Sequence, residues 1–195
     1  MRNYRPWIGK NYKNRNIFGN KKVMILGESQ WGFENVKGNE ATNTVLKNYL
    51  EKRKNDEQSR DRIFTTLAKI CLDKSQVSNE EIVEFWDSVL FYNYITESMT
   101  KPGQRPTDEQ FKNGLEPFLN IINENKPNYI LVCGKKLWFS IPESIGKKGP
   151  EDYFWYFPIG AKKEAISTYI YHPSRYPSGT KERNSRKIFQ QMMSY

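Results

Sequence analysis

Histidine and cysteine, the residues that most often hold transition metals, are scarce in this sequence. The 195 residues include one histidine, His172, and two cysteines, Cys71 and Cys133, neither of which belongs to a Cys-x-x-Cys pair. A structural zinc or iron–sulfur centre needs about four such ligands, and a disulfide framework needs several paired cysteines. The sequence therefore predicts a protein without a metal, a cofactor or structural disulfides.

Long apolar runs are also missing. No stretch approaches the ~20 apolar residues that cross a membrane, and the basic, aromatic N-terminus has no apolar signal core. We therefore expect a soluble, cytoplasmic protein with no membrane partner. Aromatic residues make up 14% of the chain and supply enough large apolar surface for a core. The length suits one domain, residues 1–195, which we expect to be a monomer.

Acidic residues are absent from the first 22 positions, which hold seven lysines and arginines. Residues 172–195 hold five more against Glu182 alone, so the formal net charge of +9 comes from the two ends. Basic ends on a neutral body predict a surface for a polyanion such as nucleic acid, with solvated tails as the alternative. Aromatic residues interleave with the N-terminal charges and favour a basic, aromatic arm of about residues 1–21 on which bases stack: Tyr4, Trp7, Tyr12 and Phe18.

Four short apolar runs predict buried strands, and the segments between them have helical spacing. The runs are residues 23–26, 89–92, 129–132 and 165–171. This alternation predicts a three-layer α/β/α fold with a central four-stranded parallel sheet. Right-handed crossovers then bring the carboxyl ends of all four strands to one edge. Residues 153–157 fit either an extra edge strand or a hydrophobic flap.

The helical segments carry recognisable start signals. Ser78 followed by Glu81 predicts a capping box, and Thr107 caps the next helix. Pro117 lies inside the apolar stripe of that helix and predicts a kink or a later start. The predicted helices lie near residues 42–54, from 59, from 78, from 107 and over about 181–193, with a long loop at 96–106.

The predicted edge collects polar groups from four separate segments, and ligands bind at such edges in open α/β sheets. A lone histidine is more often structural than catalytic, and Asn93 fits a turn as well as it fits recognition of a base edge. Glu28 is either a solvated loop carboxylate or a group that holds water. No nucleophile–base pair is visible. The residues are Glu28 and Ser29, Asn93, Gly134 and Lys135, and His172.

The order of these motifs resembles the uracil-DNA glycosylase superfamily. Three motifs follow strands, namely Leu26-Gly27-Glu28-Ser29, Leu90-Phe91-Tyr92-Asn93 and His172-Pro173-Ser174. Further similarity lies in Arg105-Pro106-Thr107, Pro117-Phe118-Leu119 and Ile130-Leu131-Val132-Cys133-Gly134-Lys135. The resemblance covers residues 22 to 195, without the four cysteines that hold an iron–sulfur cluster in several members.

The resemblance implies a uracil-DNA glycosylase-like fold and a metal-independent, monofunctional DNA glycosylase that acts on a flipped uracil or modified base. It implies that His172 stabilises the departing base and that Glu28 and Ser29 position water or stabilise the sugar cation. The base would be read by Asn93, with Trp31 or Phe33 stacked on it. Contacts to double- or single-stranded DNA would come from Lys101, Arg105, Lys135, Ser174, Arg175 and Tyr176.

Two differences from the superfamily keep other interpretations open. Many members have Asp or Asn at the position of Ser29 and proline at the position of Gln30. The first alternative is a catalytically inactive nucleic-acid-binding protein that keeps the glycosylase fold. The second is a hydrolase of free nucleosides or other small molecules, for which the basic ends would have little use.

Overall fold

A computed structural model describes residues 5–31, 38–57, 62–101, 103–161, 163–175 and 179–195. The strands in these ranges are β1 (Trp7–Ile8), β2 (Val23–Gly27), β3 (Gln30–Trp31), β4 (Val89–Asn93), β5 (Ser98–Met99), β6 (Tyr129–Cys133), β7 (Lys147–Lys148), β8 (Phe154–Ile159) and β9 (Lys163–Ile170). The helices are α1 (Gly38–Lys54), α2 (Arg62–Cys71), α3 (Asn79–Ser88), α4 (Asp108–Asn125), α5 (Lys135–Ser140) and α6 (Gly179–Met193). Two short 3-10 helices cover Glu143–Ile145 and Pro173–Arg175.

The main sheet has seven strands in the order β1, β4, β2, β6, β9, β8, β7. Strands β4, β2, β6 and β9 are the four predicted runs, and they pair in parallel. Strand β1 pairs antiparallel with β4, and β8 and β7 extend the other side antiparallel. The protein therefore has a mixed α/β structure with a mostly parallel central sheet. The predicted four-stranded, wholly parallel sheet is corrected to a mixed one.

Helices cover both faces of the sheet. Successive strand residues point to opposite faces, and Val23, Ile25 and Leu131 pack in one apolar cluster with residues of α1, α2, α3 and α6. Their neighbours Met24 and Val132 pack in a second cluster with residues of α4 and α5. Burial on both faces explains why the parallel strands read as continuous apolar runs. None of the described helices combines the length and apolar content that a membrane span needs.

Strand β8 settles the interpretation of residues 153–157. Residues 154–157 belong to this strand, which lies between β7 and β9, so the segment is a strand and not a flap. It is not an edge strand, because the two-residue strand β7 pairs with its outer side. The predicted loop at 96–106 likewise contains a short strand, β5, which pairs in parallel with β3.

The N-terminal segment packs against the domain. Tyr12 is 0% exposed, and its hydroxyl donates to the carbonyl of Asn125 at 3.4 Å. The indole N–H of Trp7 donates to the carbonyl of Trp86 at 2.8 Å, and Phe18 makes edge contacts with Phe85 and Phe189. Stacking of bases on Tyr12 is therefore excluded by its burial, whereas Trp7 and Phe18 are half-buried and their stacking stays a prediction. Tyr4 lies outside the described residues.

Helix α4 begins where its cap predicts and runs through Pro117. The hydroxyl of Thr107 accepts from the N–H of Gln110 at 3.2 Å, and the Gln110 side chain accepts from the N–H of Thr107 at 3.0 Å. Pro117 removes the N–H that would reach the carbonyl of Asn113. Asn113 is exposed, so water can satisfy that carbonyl. The proline therefore does not delay the start of the helix.

The other predicted helices are present with shifted ends. Helix α1 begins at Gly38, before the predicted residue 42, and α6 begins at Gly179, before the predicted residue 181. The predicted start at residue 59 lies outside the described residues, and α2 is described from Arg62. Helix α3 follows Ser78, as predicted.

The capping box of α3 gives a first testable prediction. The Ser78 hydroxyl accepts from the N–H of Glu81 at 3.2 Å, and the Glu81 carboxylate accepts from the N–H of Ser78 at 2.8 Å. We expect Ser78→Ala to lower the free energy of unfolding by about 1 kcal/mol in urea titrations. Ser75→Ala is the matched control, because Ser75 is exposed and lies outside the helix. Equal losses in the two variants would show that the cap contributes nothing.

Candidate functional site

The carboxyl ends of the parallel strands lie side by side in the order β4, β2, β6, β9. The outer two carry Asn93, the last residue of β4, and His172, two residues beyond β9. Of the inner two, β2 ends at Gly27, and β6 ends at Cys133 and is followed by Gly134, whose N–H donates to the carbonyl of Ile170 at 2.9 Å. Adjacent strands are about 4.8 Å apart, so the ends of β4 and β9 are about 14 Å apart. Gly27 and Gly134 therefore lie between Asn93 and His172 along this edge of the sheet.

The amide of Asn93 is held across the end of β2. Asn93 is 3% exposed, and its Nδ2 donates to the hydroxyl of the buried Thr42 in α1 at 2.7 Å. A Cβ atom on Gly27 would lie 2.1 Å from Asn93 Oδ1, so only glycine at position 27 leaves room for the amide. The Thr42 hydroxyl in turn lies 3.5 Å from Gln30 Oε1. Asn93 therefore has a fixed orientation next to Glu28.

Asn93 is not a turn residue. The N–H groups of Tyr94 and Ile95 donate to the carbonyls of Gly27 and Glu28, both at 2.9 Å. Pairing between the two chain segments therefore continues past the end of β4. Thr42 was missed by sequence reasoning, because it is 51 positions from Asn93 and lies inside a helix.

Glu28 and Ser29 follow β2 directly, and both are half-buried. The next two residues form β3, which pairs in parallel with β5 and so joins the segments that leave β2 and β4. The predicted base-stacking residue Trp31 is in β3 and is 52% exposed. Phe33, its predicted alternative, lies outside the described residues. The structure thus places Glu28, Ser29 and Asn93 around the ends of two adjacent strands.

The imidazole of His172 is oriented by Ser174. Its Nδ1 lies 2.8 Å from the Ser174 hydroxyl and accepts from the Ser174 backbone N–H at 3.4 Å. A backbone N–H can only donate, so Nδ1 is an acceptor and the proton of the neutral ring is on Nε2. The ring lies beside Gly134, where an added Cβ would be 3.9 Å from His172 Cβ and Cδ2. Ser174, predicted as a DNA contact, thus holds the imidazole.

Basic residues surround the same edge. Lys101, Arg105 and Lys135 are exposed, and none of them forms an ion pair with another described residue. The Lys101 segment is held by Gln104, whose side-chain carbonyl accepts from the backbone N–H groups of Thr100 and Lys101. These cations are therefore available to an anion. The Arg175 side chain and Tyr176, two further predicted DNA contacts, lie outside the described part of the chain.

Covalent catalysis by a cysteine does not fit this edge. Cys133 ends β6 next to Gly134, but it is buried, and burial raises the pKa of its thiol well above neutral pH. The pKa of Cys71 is raised by the same cause. A buried neutral thiol is a poor nucleophile. Within the described ranges, no three His, Cys, Asp or Glu side chains are grouped as metal ligands.

Two cavities bounded by described residues lie away from this edge. One of 340 Å³ lies beyond α5, with walls that include Phe139, Trp155 and Glu143. The other, of 490 Å³, lies between the N-terminal segment, α1 and α3, and its lining mixes acidic and basic groups. Neither cavity is lined by Glu28, Asn93 or His172. The candidate site is thus defined by strand ends.

Comparison with known proteins gives no functional assignment, so the function is inferred from the residues of the candidate site. No protein-family model matches the chain, and no curated protein matches it in sequence. The strand-end geometry, the fixed amide and the oriented imidazole therefore carry the functional argument.

Proposed function

We propose that the protein is a DNA glycosylase with a uracil-DNA glycosylase-like fold, which hydrolyses the N-glycosidic bond of a flipped uracil or modified base. The observation that carries the proposal is the arrangement of Asn93 and His172 on either side of two inner strands, at whose ends lie Gly27 and Gly134. A fixed amide and an oriented imidazole at one edge provide recognition and charge stabilisation for one flat, polar ring.

Base recognition is assigned to Asn93. A side-chain amide presents donor and acceptor groups in one plane, which matches the alternating donors and acceptors on the pairing edge of a base. Thr42 fixes that plane through its 2.7 Å bond with Nδ2. A fixed amide loses little orientational freedom when a base binds, so it discriminates between bases better than a mobile one.

Bond cleavage is assigned to His172 and Glu28. As the bond between the sugar C1′ and the base nitrogen breaks, its electron pair leaves with the base, and the Nε2–H of His172 stabilises the negative charge on a base oxygen. Water adds to C1′ and gives up a proton, which finally reaches the released base. The Glu28 carboxylate, with Ser29 beside it, holds that water or stabilises the positive sugar. The products are the free base and an abasic sugar with a hydroxyl on C1′.

Binding of the polymer is assigned to the cations around the edge. Lys101, Arg105 and Lys135 are exposed, and phosphate contacts by such residues supply most of the sequence-independent affinity for DNA. Their positions beside the strand ends fit a DNA backbone that crosses the edge while the target base enters it.

The test is release of a base from DNA. Oligonucleotides that carry uracil, hypoxanthine or hydroxymethylcytosine are incubated with the protein, and abasic sites are then cleaved with alkali. We expect strand breaks from at least one substrate, and His172→Ala to lower the rate about 10²- to 10³-fold. Asn93→Asp is expected to lower it too, whereas Asn113→Asp, an exposed position in α4, is expected to leave the rate unchanged.

The outcomes separate the alternatives. Breaks no more frequent than with His172→Ala would contradict the glycosylase proposal. Salt-dependent DNA binding without base release would indicate the inactive nucleic-acid-binding protein that keeps this fold. Release of base from free nucleosides, with none from DNA, would indicate the small-molecule hydrolase.

A further inference from the structure

A pocket with aromatic walls lies on the face of the sheet that α4 and α5 cover. Its volume is 340 Å³, within the range of about 300–1,000 Å³ that small-molecule sites occupy. Strand residues alternate between the faces of a sheet, and Trp155 and Phe157 of β8 belong to the apolar cluster on the side of α4 and α5. Trp138 and Phe139 of α5 complete the aromatic wall. We call this cavity the α5–β8 pocket.

The two indoles of the α5–β8 pocket are held in place by residues outside its lining. The ring of Trp138 packs against that of Tyr169, with centroids 5.3 Å apart and planes inclined by 34°. A Cβ atom on Gly146 would lie 3.0 Å from Cε3 of Trp155, so the Gly146 backbone packs directly against that indole. Walls that are fixed before a ligand arrives lose little conformational freedom when it binds. The pocket is therefore preorganised.

The charged side chains of the lining leave one carboxylate without a cation. Lys148 Nζ lies 2.6 Å from Asp152 and pairs with it. Glu143, the third charged residue of the lining, is exposed and forms no ion pair with another described residue. Lys135 lies outside the lining, with its Nζ 5.7 Å from the Phe139 centroid, and repels a second cation at that ring. Glu143 therefore favours a positive ligand in the pocket, away from Phe139.

We propose that the α5–β8 pocket binds a small organic cation of the quaternary ammonium class, against Trp138 and Trp155 and with Glu143 as its counter-charge. The faces of aromatic rings carry partial negative charge, and tryptophan attracts cations most strongly. Trp138 is 7% exposed and Phe157 is 3% exposed, so these rings lie inside the pocket. A protein partner needs an open surface of about 800 Å², whereas recessed rings suit a free molecule. The candidate site does not line this pocket, so the inference is independent of the proposed function.

The test compares choline with the neutral alcohol in which a carbon atom replaces its nitrogen. The indole N–H signals of the five tryptophans are followed by NMR and assigned with single Trp→Phe variants. We expect choline to shift the signals of Trp138 and Trp155 with a dissociation constant on the order of 1 mM. The signals of Trp7, Trp31 and Trp86 are expected to stay in place. The neutral alcohol should bind at least about fivefold more weakly, because it lacks the charge.

Two variants identify the groups that hold the cation. Glu143→Gln is expected to weaken choline binding about fivefold and to leave binding of the neutral alcohol unchanged. Glu57→Gln is the matched control, because Glu57 is an exposed carboxylate just beyond α1. Trp155→Leu is expected to weaken choline binding about fivefold as well. If that variant does not fold, Glu143→Gln still decides, since its side chain is exposed.

Four results would overturn the proposal. Equal affinity for choline and the neutral alcohol would show an apolar pocket without charge recognition. Choline shifts at Trp31 without shifts at Trp138 and Trp155 would place the cation elsewhere. A Glu143→Gln protein that binds choline like the unmodified chain would remove the counter-charge. A trimethyl-lysine peptide that binds at least about tenfold more tightly than choline would identify a protein partner in place of a free ligand.

Discussion

We expect removal of residues 1–20 to unfold the protein, which is a larger effect than a weakened contact with nucleic acid. The segment supplies β1 and the fully buried Tyr12, and the N–H groups of Gly9 and Asn11 donate to the carbonyls of Val89 and Asp87. Truncation of one buried aromatic side chain costs about 3–5 kcal/mol, and a domain has about 5–15 kcal/mol in total. We expect loss of the cooperative transition in circular dichroism. Tyr12→Ala alone should lower the free energy of unfolding by about 3 kcal/mol or more.

A charge-only variant separates packing from electrostatics. Lys13 and Arg15 are exposed and form no ion pair with other described residues, whereas Lys10 lies 2.8 Å from Asp87 and is left unchanged. Lys13→Gln with Arg15→Gln should keep the unfolding free energy within about 0.5 kcal/mol. If these charges contact DNA, the same variant should bind DNA with a smaller salt slope. A truncated chain that unfolds at the wild-type urea concentration would contradict the packing argument.

Gly27→Ala is expected to destabilise the protein and to disturb the candidate site together. The new Cβ would lie 2.1 Å from Asn93 Oδ1 and 3.2 Å from Phe91 Cζ. Asn93 must then turn and give up its bond with Thr42. Overpacking of this kind costs about 1–3 kcal/mol, which urea unfolding can measure. On the proposed function, base release should fall as well, because the amide no longer has its fixed plane.

A double variant tests whether the clash between the new Cβ and Asn93 causes this loss of stability. In Gly27→Ala with Asn93→Ala the clashing oxygen is gone, so the pair should cost little more than Asn93→Ala alone. The coupling energy of the cycle should then be about 1–3 kcal/mol. Gly179→Ala is the matched control, because a Cβ there meets nothing within 4 Å. Additive losses would show that Gly27 and Asn93 act independently and that the glycine does not make room for the amide.

The four parallel strands could be predicted because both of their faces are buried, so an unbroken apolar run marks them. Strands β2 and β6 are buried at every position. Two-residue strands such as β1 and β7 could not be predicted, since two residues have no periodicity. Strand β1 is defined by a partner distant in the sequence, because Trp7 pairs with Phe91.

The strand-end positions of Asn93 and His172 could be predicted because the apolar runs that mark the strands also show where the strands end. Their partners could not be predicted so directly. Thr42 contacts Asn93 only because α1 packs over the end of β4. At the N-terminus, alternating basic and aromatic residues suit a stacking arm and a packed segment equally well. Tyr12 reaches the core through contacts such as that with Asn125, which no local pattern reveals.

The packing of the N-terminal segment also determines when that segment can fold during synthesis of the chain. Phe18 contacts Phe189, and the Lys21 ammonium donates to the carbonyl of Met193 at 2.9 Å, so both partners belong to α6. Contacts between such distant parts of a sequence form late and slowly. The segment that contains Phe18 and Lys21 therefore completes its packing only after α6 has been translated.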